Sequence, residues 1–182
     1  MTVLGWWGEM VATERAALPP SVRLLIVRCG RYRLAFPSDE VRGLVSAGEV
    51  VPVEVGSFEG VLWREGGLIP ATSLAPVLGL GGVKGIGGGH GVLARTDVGL
   101  VCLLVDEALD LVEVAREQIR DLPPLVVRVM RLEGLTSVAD VEGLVLVAVP
   151  ALLLGAKRAA ELIAAAERVA TGASTAPPGW LQ

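Results

Sequence analysis

Asp39-Glu40 and Asp106-Glu107 are the residues of this 182-residue chain best able to do chemistry. Paired carboxyl groups facing one cleft are what hydrolysis of a glycosidic bond requires. Each pair, however, falls where a strand-like run ends and the chain turns, and there an aspartate ordinarily bonds its own backbone. His90 is the only histidine and sits among glycines, so a histidine-dependent nucleophile or a zinc site lacks the neighbours it needs. Gly89-His90-Gly91-Val92-Leu93-Ala94 fits the GxGxxA spelling of a dinucleotide fingerprint. A strand-like run follows it, where the fingerprint needs a helix N-terminus to meet the pyrophosphate. Cys29 and Cys102 lie in separate apolar runs without CxxC spacing and read as buried, reduced thiols. No catalytic residue, cofactor or metal site is predicted.

The acid pairs are instead part of a repeat. Asp39-Glu40-Val41-Arg42-Gly43-Leu44-Val45 is echoed by Asp106-Glu107-Ala108-Leu109-Asp110-Leu111-Val112, 67 residues later. Val61-Leu62-Trp63-Arg64-Glu65-Gly66 is echoed by Val129-Met130-Arg131-Leu132-Glu133-Gly134 at an offset of 68. Two echoes at nearly one offset predict a small β unit used twice, with an interface between its copies.

Composition narrows the function classes. Hydrophobic residues make up 52% of the chain and charged residues 20%, which favours a sizeable core over disorder. The net charge is −4, and no Lys/Arg stripe marks a nucleic-acid surface. The longest uncharged apolar stretch, 143–156, is too short to span a bilayer and contains Pro150. Glu9, Glu14 and Arg15 interrupt any apolar leader in residues 1–20. A cytoplasmic protein with no nucleic-acid partner and no direct membrane insertion is expected.

The elements that must position these residues are short. Residues 1–20 form an N-terminal extension with Trp6-Trp7 and a helix-compatible stretch at 10–18, stopped by Pro19-Pro20. Strands are predicted at 23–29, 32–36, 41–45, 50–55, 60–63 and 68–72, with Pro52 marking the fourth as an edge or bulged strand. Residues 73–78 form a short helix capped by Ser73 and stopped by Gly79. A flexible glycine-rich loop follows to residue 91. The second half repeats the plan with strands at 92–95, 98–105, 126–132, 135–138 and 143–149, and a polar turn or short helix at 113–119. A helix over 150–170 presents Leu152, Ala156, Ala159, Ile163 and Ala166 on one face and Lys157, Glu161 and Arg168 on the other. Residues 173–182 form a flexible tail. Many short strands with few helices predict β-barrels or a sandwich in two lobes, about 21–80 and 90–150.

The ordered residues resemble the CheW-like family of bacterial chemosensory coupling proteins over roughly 21–154. The resemblance rests on residues 24–28, 32–36 and 41–44, on Gly60-Val61-Leu62-Trp63-Arg64-Glu65-Gly66-Gly67-Leu68-Ile69-Pro70 with Leu74, and on Val101-Cys102-Leu103-Leu104-Val105-Asp106-Glu107 with Val112. It implies a mostly β fold of two intertwined SH3-like five-stranded β-barrel lobes plus a C-terminal α-helix, within a domain over 21–172. It also implies a non-enzymatic adaptor that couples a chemoreceptor cytoplasmic tip, in a groove between the lobes, to the regulatory domain of a CheA-type histidine kinase. Carried over by position, Val41 and Leu44 face the receptor groove, and Glu65-Gly66 occupy a turn where the family commonly has Arg-Gly. Trp63, which alternates with the strand pattern, and Asp106 of the repeated phrase complete the candidate partner-binding residues. The alternative is a diverged accessory, recruited to a motility-specific pathway, that self-associates or binds only one array partner.

Overall fold

The computed structural model describes residues 20–55, 58–80, 88–129 and 134–173. The expected N-terminal helix, most of the glycine-rich loop and the tail after residue 173 lie outside them.

Twelve strands form two sheets. The first half contributes β1 (Ser21–Cys29), β2 (Tyr32–Pro37), β3 (Val41–Ser46), β4 (Val51–Val55), β5 (Phe58–Arg64), β6 (Gly67–Ser73) and the short helix α1 (Leu74–Val77). The second contributes β7 (His90–Thr96), β8 (Gly99–Val105), β9 (Glu107–Ala115), β10 (Ile119–Asp121), α2 (Pro124–Val129), β11 (Leu135–Asp140), β12 (Leu144–Ala148) and α3 (Pro150–Ala173). One sheet runs β10-β11-β12-β2-β1-β9 and the other β3-β7-β8-β6-β5-β4. The leading hairpin of each half is therefore exchanged into the sheet of the other half. The lobes intertwine as expected, so neither corresponds to a contiguous 21–80 or 90–150 stretch, and each holds six strands rather than five.

The duplication explains this plan. In each sheet the two edge strands are consecutive in sequence, β3 with β4 and β9 with β10. They are joined by 3₁₀ turns at Ala47–Glu49 and Arg116–Gln118. Each sheet must therefore curl to bring its edges together, as an SH3-like lobe does. Equivalent backbone bonds hold the two turns: Ala47 N–H donates to the Gly89 carbonyl at 3.2 Å, and Arg116 N–H to the Pro20 carbonyl at 3.0 Å. Glu49 accepts from the Ser46 amide at 2.9 Å and Gln118 from the Ala115 amide at 3.2 Å, a repeated cap that the S-x-x-E spelling at 46–49 could have announced. Even the bulge is duplicated. The register of β3 against β7 skips Arg42, and that of β9 against β1 skips Leu109, at the same place in the repeated phrase.

Burial shows where the core sits. Leu24, Leu25, Ile26 and Val27 are all at most 6% exposed, although consecutive strand side chains point to opposite faces. Both faces of β1 are covered along this stretch. Val45, Leu62, Leu93, Cys102 and Leu104 fill one lobe, and Leu24, Ile26, Ala35, Val145 and Val147 fill the other. The largest cluster lies between the lobes, where Val27, Leu34, Phe36, Val61, Val92, Val101 and Leu103 meet Leu154, Ala159, Leu162 and Ala166 of α3.

Four local expectations are corrected. Residues 126–132 were expected as a strand, but α2 covers Pro124–Val129. Pro124 is pre-set for a helical first turn, and the Pro123 carbonyl accepts from Val126 and Val127 N–H, which overrides the β-branched sequence. Residues 130–133, most of the second echo, lie outside the described residues. The buried stripe of α3 is shifted. Leu152 is 55% exposed and Leu153, Leu154, Leu162 and Ala165 are buried, because Gly155 (φ 66°, ψ 152°) breaks the helix after its first turns. His90, expected in a solvated loop, opens β7, and its Nδ1 accepts from the Ala108 amide at 3.4 Å. Ser73 holds the N-cap position of α1 without capping it, since its hydroxyl donates to Glu59.

Candidate protein-interaction surfaces

The acid phrases resolve into architecture. Asp39 and Glu40 lie in a 3₁₀ turn over Ser38–Glu40 that leads into β3. Asp106 fills the corner between β8 and β9, where its amide donates to the Arg28 carbonyl at 3.0 Å and its carboxylate accepts from the Gly30 amide. That carboxylate ties the turn of the first hairpin to the corner of the second half. Glu107 opens β9 and pairs with Arg28 at 2.7 Å, an exposed ion pair that contributes little stability. Pro37, just before the first phrase, pairs with Leu24 of β1 and Glu107 of the second pairs with Arg28, so the phrases lie toward opposite ends of that strand and not across one another as glycosidic chemistry requires.

The cysteines are core. Burial pushes the Cys102 thiol up to about 12, and burial together with the Asp106 charge pushes Cys29 up to about 11. Above pH 9 the unfolded chain sheds thiol protons that the fold retains, so stability falls as pH rises through this window. Between pH 8 and 10.5, the Cys29→Ala/Cys102→Ala variant should lose less stability than the parent, by on the order of 2 kcal/mol in urea titrations. Equal losses would show the thiols to be solvated. Among the described residues no group of three His, Cys, Asp or Glu side chains is placed to hold a metal ion.

Exposed apolar side chains occur on strands as well as on α2 and α3. Leu44 is 47% exposed on β3, the edge strand of its sheet, where it stands opposite Val92 of β7. Val41, at the start of that strand, packs its side chain partly against the central cluster. Trp63 is 57% exposed near the end of β5, opposite Leu68 of β6. Glu65 and Gly66 form the exposed two-residue turn between those strands. Arg64, at the base of that turn, is anchored. Its guanidinium donates to Glu49 at 2.8 Å and to the Trp63 carbonyl at 3.0 Å. The Arg64 bond first, then the Ser46 amide, hold the Glu49 carboxyl below its usual range. The capped turn at 46–49 thus positions the β5–β6 turn, a role for Glu49 that reading Glu65 alone misses.

Three of the six candidates converge. Glu65 and Gly66 line an open cleft of about 390 Å³ bounded by the β5–β6 turn, the β7–β8 turn and α3, and Trp63 adjoins it through Leu68. Val41 and Leu44 belong to a separate strand surface, and Asp106 to the hairpin corner. Among the described residues the central cluster fills the seam between the lobes, and this cleft lies beside it.

A duplicated, intertwined β module whose exposed features include apolar strand faces and a turn defines a binding protein. Comparison with known proteins specifies it. The family model of the CheW-like domain matches residues 23–157. The chain belongs to the CheW-like family, a family of non-catalytic scaffolds in chemotaxis signalling. The crystal structure of the scaffolding protein TtCheW from Thermoanaerobacter tengcongensis superposes with a TM-score of 0.63 at 15% identity, covering 75% of this chain and 94% of that one. No match is found among curated proteins. No helix of the described residues is long and apolar enough to cross a membrane.

Proposed function

We propose that this chain is a coupling adaptor that joins the cytoplasmic tip of a chemoreceptor to the regulatory domain of a CheA-type histidine kinase. The observation that carries the reading is that one lobe presents two surfaces on strands that are not neighbours. One is the edge strand β3 with Val41 and Leu44. The other is the β5–β6 turn with Trp63, Glu65 and Gly66. An adaptor needs two such surfaces, and small apolar contacts with polar rims gain their strength from multiplicity in an array. Recruitment to receptors then brings the chain to the membrane without inserting it. The acidic turn favours a second reading, an accessory of a motility-specific pathway that binds only one of these partners or a second copy of itself.

The test is binding of the full chain to a receptor cytoplasmic fragment and to a kinase regulatory domain from the same cell. Leu44→Asp places a charge in a desolvated contact and should weaken one of the two interactions by tenfold or more while sparing the other. Circular dichroism identical to the parent would show that the fold is intact, since Leu44 is half exposed. Absence of both interactions in the parent chain would sink the coupling role. Loss of neither in Leu44→Asp would remove β3 from it.

A further inference from the structure

The cleft beside the β5–β6 turn has a polarity that the coupling role alone does not explain. Its lining includes Leu68 from β6, Val98 and Leu100 from the β7–β8 hairpin, and Ile163 from α3. Val98 is 45% exposed and Leu100 36%, so this apolar surface faces outward. The turn and the helix touch directly. A Cβ added at Gly99 would stand 2.9 Å from Ile163 Cδ1, so the apolar wall is assembled before any partner arrives. Two carboxylates, Glu65 on the turn and Glu167 on α3, complete the lining from separate elements. Neither takes part in an ion pair among the described residues. The cation in the lining, Arg64, is already engaged by Glu49. With that pair neutral, the described lining carries two negative charges, Glu65 and Glu167, over an apolar wall.

We infer that this cleft receives a basic residue flanked by apolar side chains, presented by a segment of a partner protein; the identity of that partner rests on the adaptor reading. A lysine or arginine laid across Leu68, Val98 and Leu100 buries its aliphatic stem and keeps its charged head beside Glu65 and Glu167. An acidic segment is repelled, and a wholly apolar one leaves both carboxylates desolvated without a partner. Glu65 and Glu167 are then specificity-determining residues, selecting partners by charge.

The test uses the full chain with methyl-labelled Leu, Val and Ile, and two helix-forming peptides of equal length and apolar content. One carries a central arginine and the other a central glutamate. The arginine peptide is expected to shift the methyl signals of Leu68, Val98, Leu100 and Ile163, and to bind about fivefold more weakly when NaCl is raised from 50 to 300 mM. The glutamate peptide should leave those signals in place, and E65K/E167K should reverse the preference. Unmoved methyl signals with the arginine peptide, or equal binding of both peptides, would overturn the inference. So would movement of the same signals on removal of residues 174–182, which would make the chain's own tail the occupant. A clear arginine preference in a chain that binds neither receptor nor kinase fragments would sink the adaptor reading and leave the charge selectivity standing.

Discussion

Gly134→Ala is expected to destabilise the protein by about 3 kcal/mol or more, two effects acting at one atom. Gly134 has φ 85°, where a side chain costs about 1–2 kcal/mol. An added Cβ would also lie 2.4 Å from the amide nitrogen and 2.5 Å from the Cα of Leu153. Those are backbone atoms of α3, and no rotamer change moves them. The same junction is held by Val149 N–H donating to the Gly134 carbonyl and Leu153 N–H to the Val149 carbonyl, both at 2.9 Å. Relief of the clash would lift the start of α3 off β11 and open the central cluster at Leu153 and Leu154. Gly143→Ala is the control. Its φ is 113°, but nothing lies within 4 Å of the added atom, so only the conformational cost remains. Urea midpoints at constant slope separate the two. A Gly134 variant as mild as the Gly143 variant would show that the start of α3 yields freely.

Phe36→Ala should cost about 3–5 kcal/mol, a large share of the roughly 5–15 kcal/mol that holds a domain of this size. Phe36 is 0% exposed and is the largest of the fully buried side chains. It lies between the lobes, with the hairpin it belongs to paired into one sheet while its side chain packs in the cluster shared with the other. Truncation therefore weakens both lobes together. Unfolding followed by far-ultraviolet circular dichroism and by a methyl signal of the lobe interior, such as Val145, should shift as one transition. Two separated transitions would mean that the exchanged hairpins do not couple the lobes.

Much of the strand plan was readable from alternation and turn residues. The hairpin at Gly30, the break at Pro37, the edge position of the Pro52 strand and the hairpin at Glu65-Gly66 all stand where local chemistry demands them. Failures came where a single proline or glycine outvoted the wider side-chain pattern. Val126 and Val127 favour a strand, yet Pro123-Pro124 turn them into α2. The face of α3 was assigned by an unbroken helical period, and one left-handed residue, Gly155, shifted it. Of the candidate surface residues, Glu65 and Gly66 line a cleft that Trp63 adjoins through its strand partner Leu68. Its third wall, Ile163 and Glu167, comes from a helix about a hundred residues further along the chain. No spacing rule links them. Asp106, a candidate contact by its place in the repeated phrase, also accepts from the Gly30 amide, a bond that no local spacing announces.

The amino-acid sequence by itself determined that this protein is a twice-used β unit with a large apolar core and one acidic phrase at a strand boundary in each copy. Those properties follow from side-chain period and turn chemistry, which act over a few residues. The tertiary structure alone decided which half each hairpin joins, because a strand with two apolar faces accepts any partner that covers both. It also decided that the principal core is the seam between the lobes and that the open cleft stands beside it. Both depend on α3 filling one side of the sheets and leaving the ends of two hairpins uncovered.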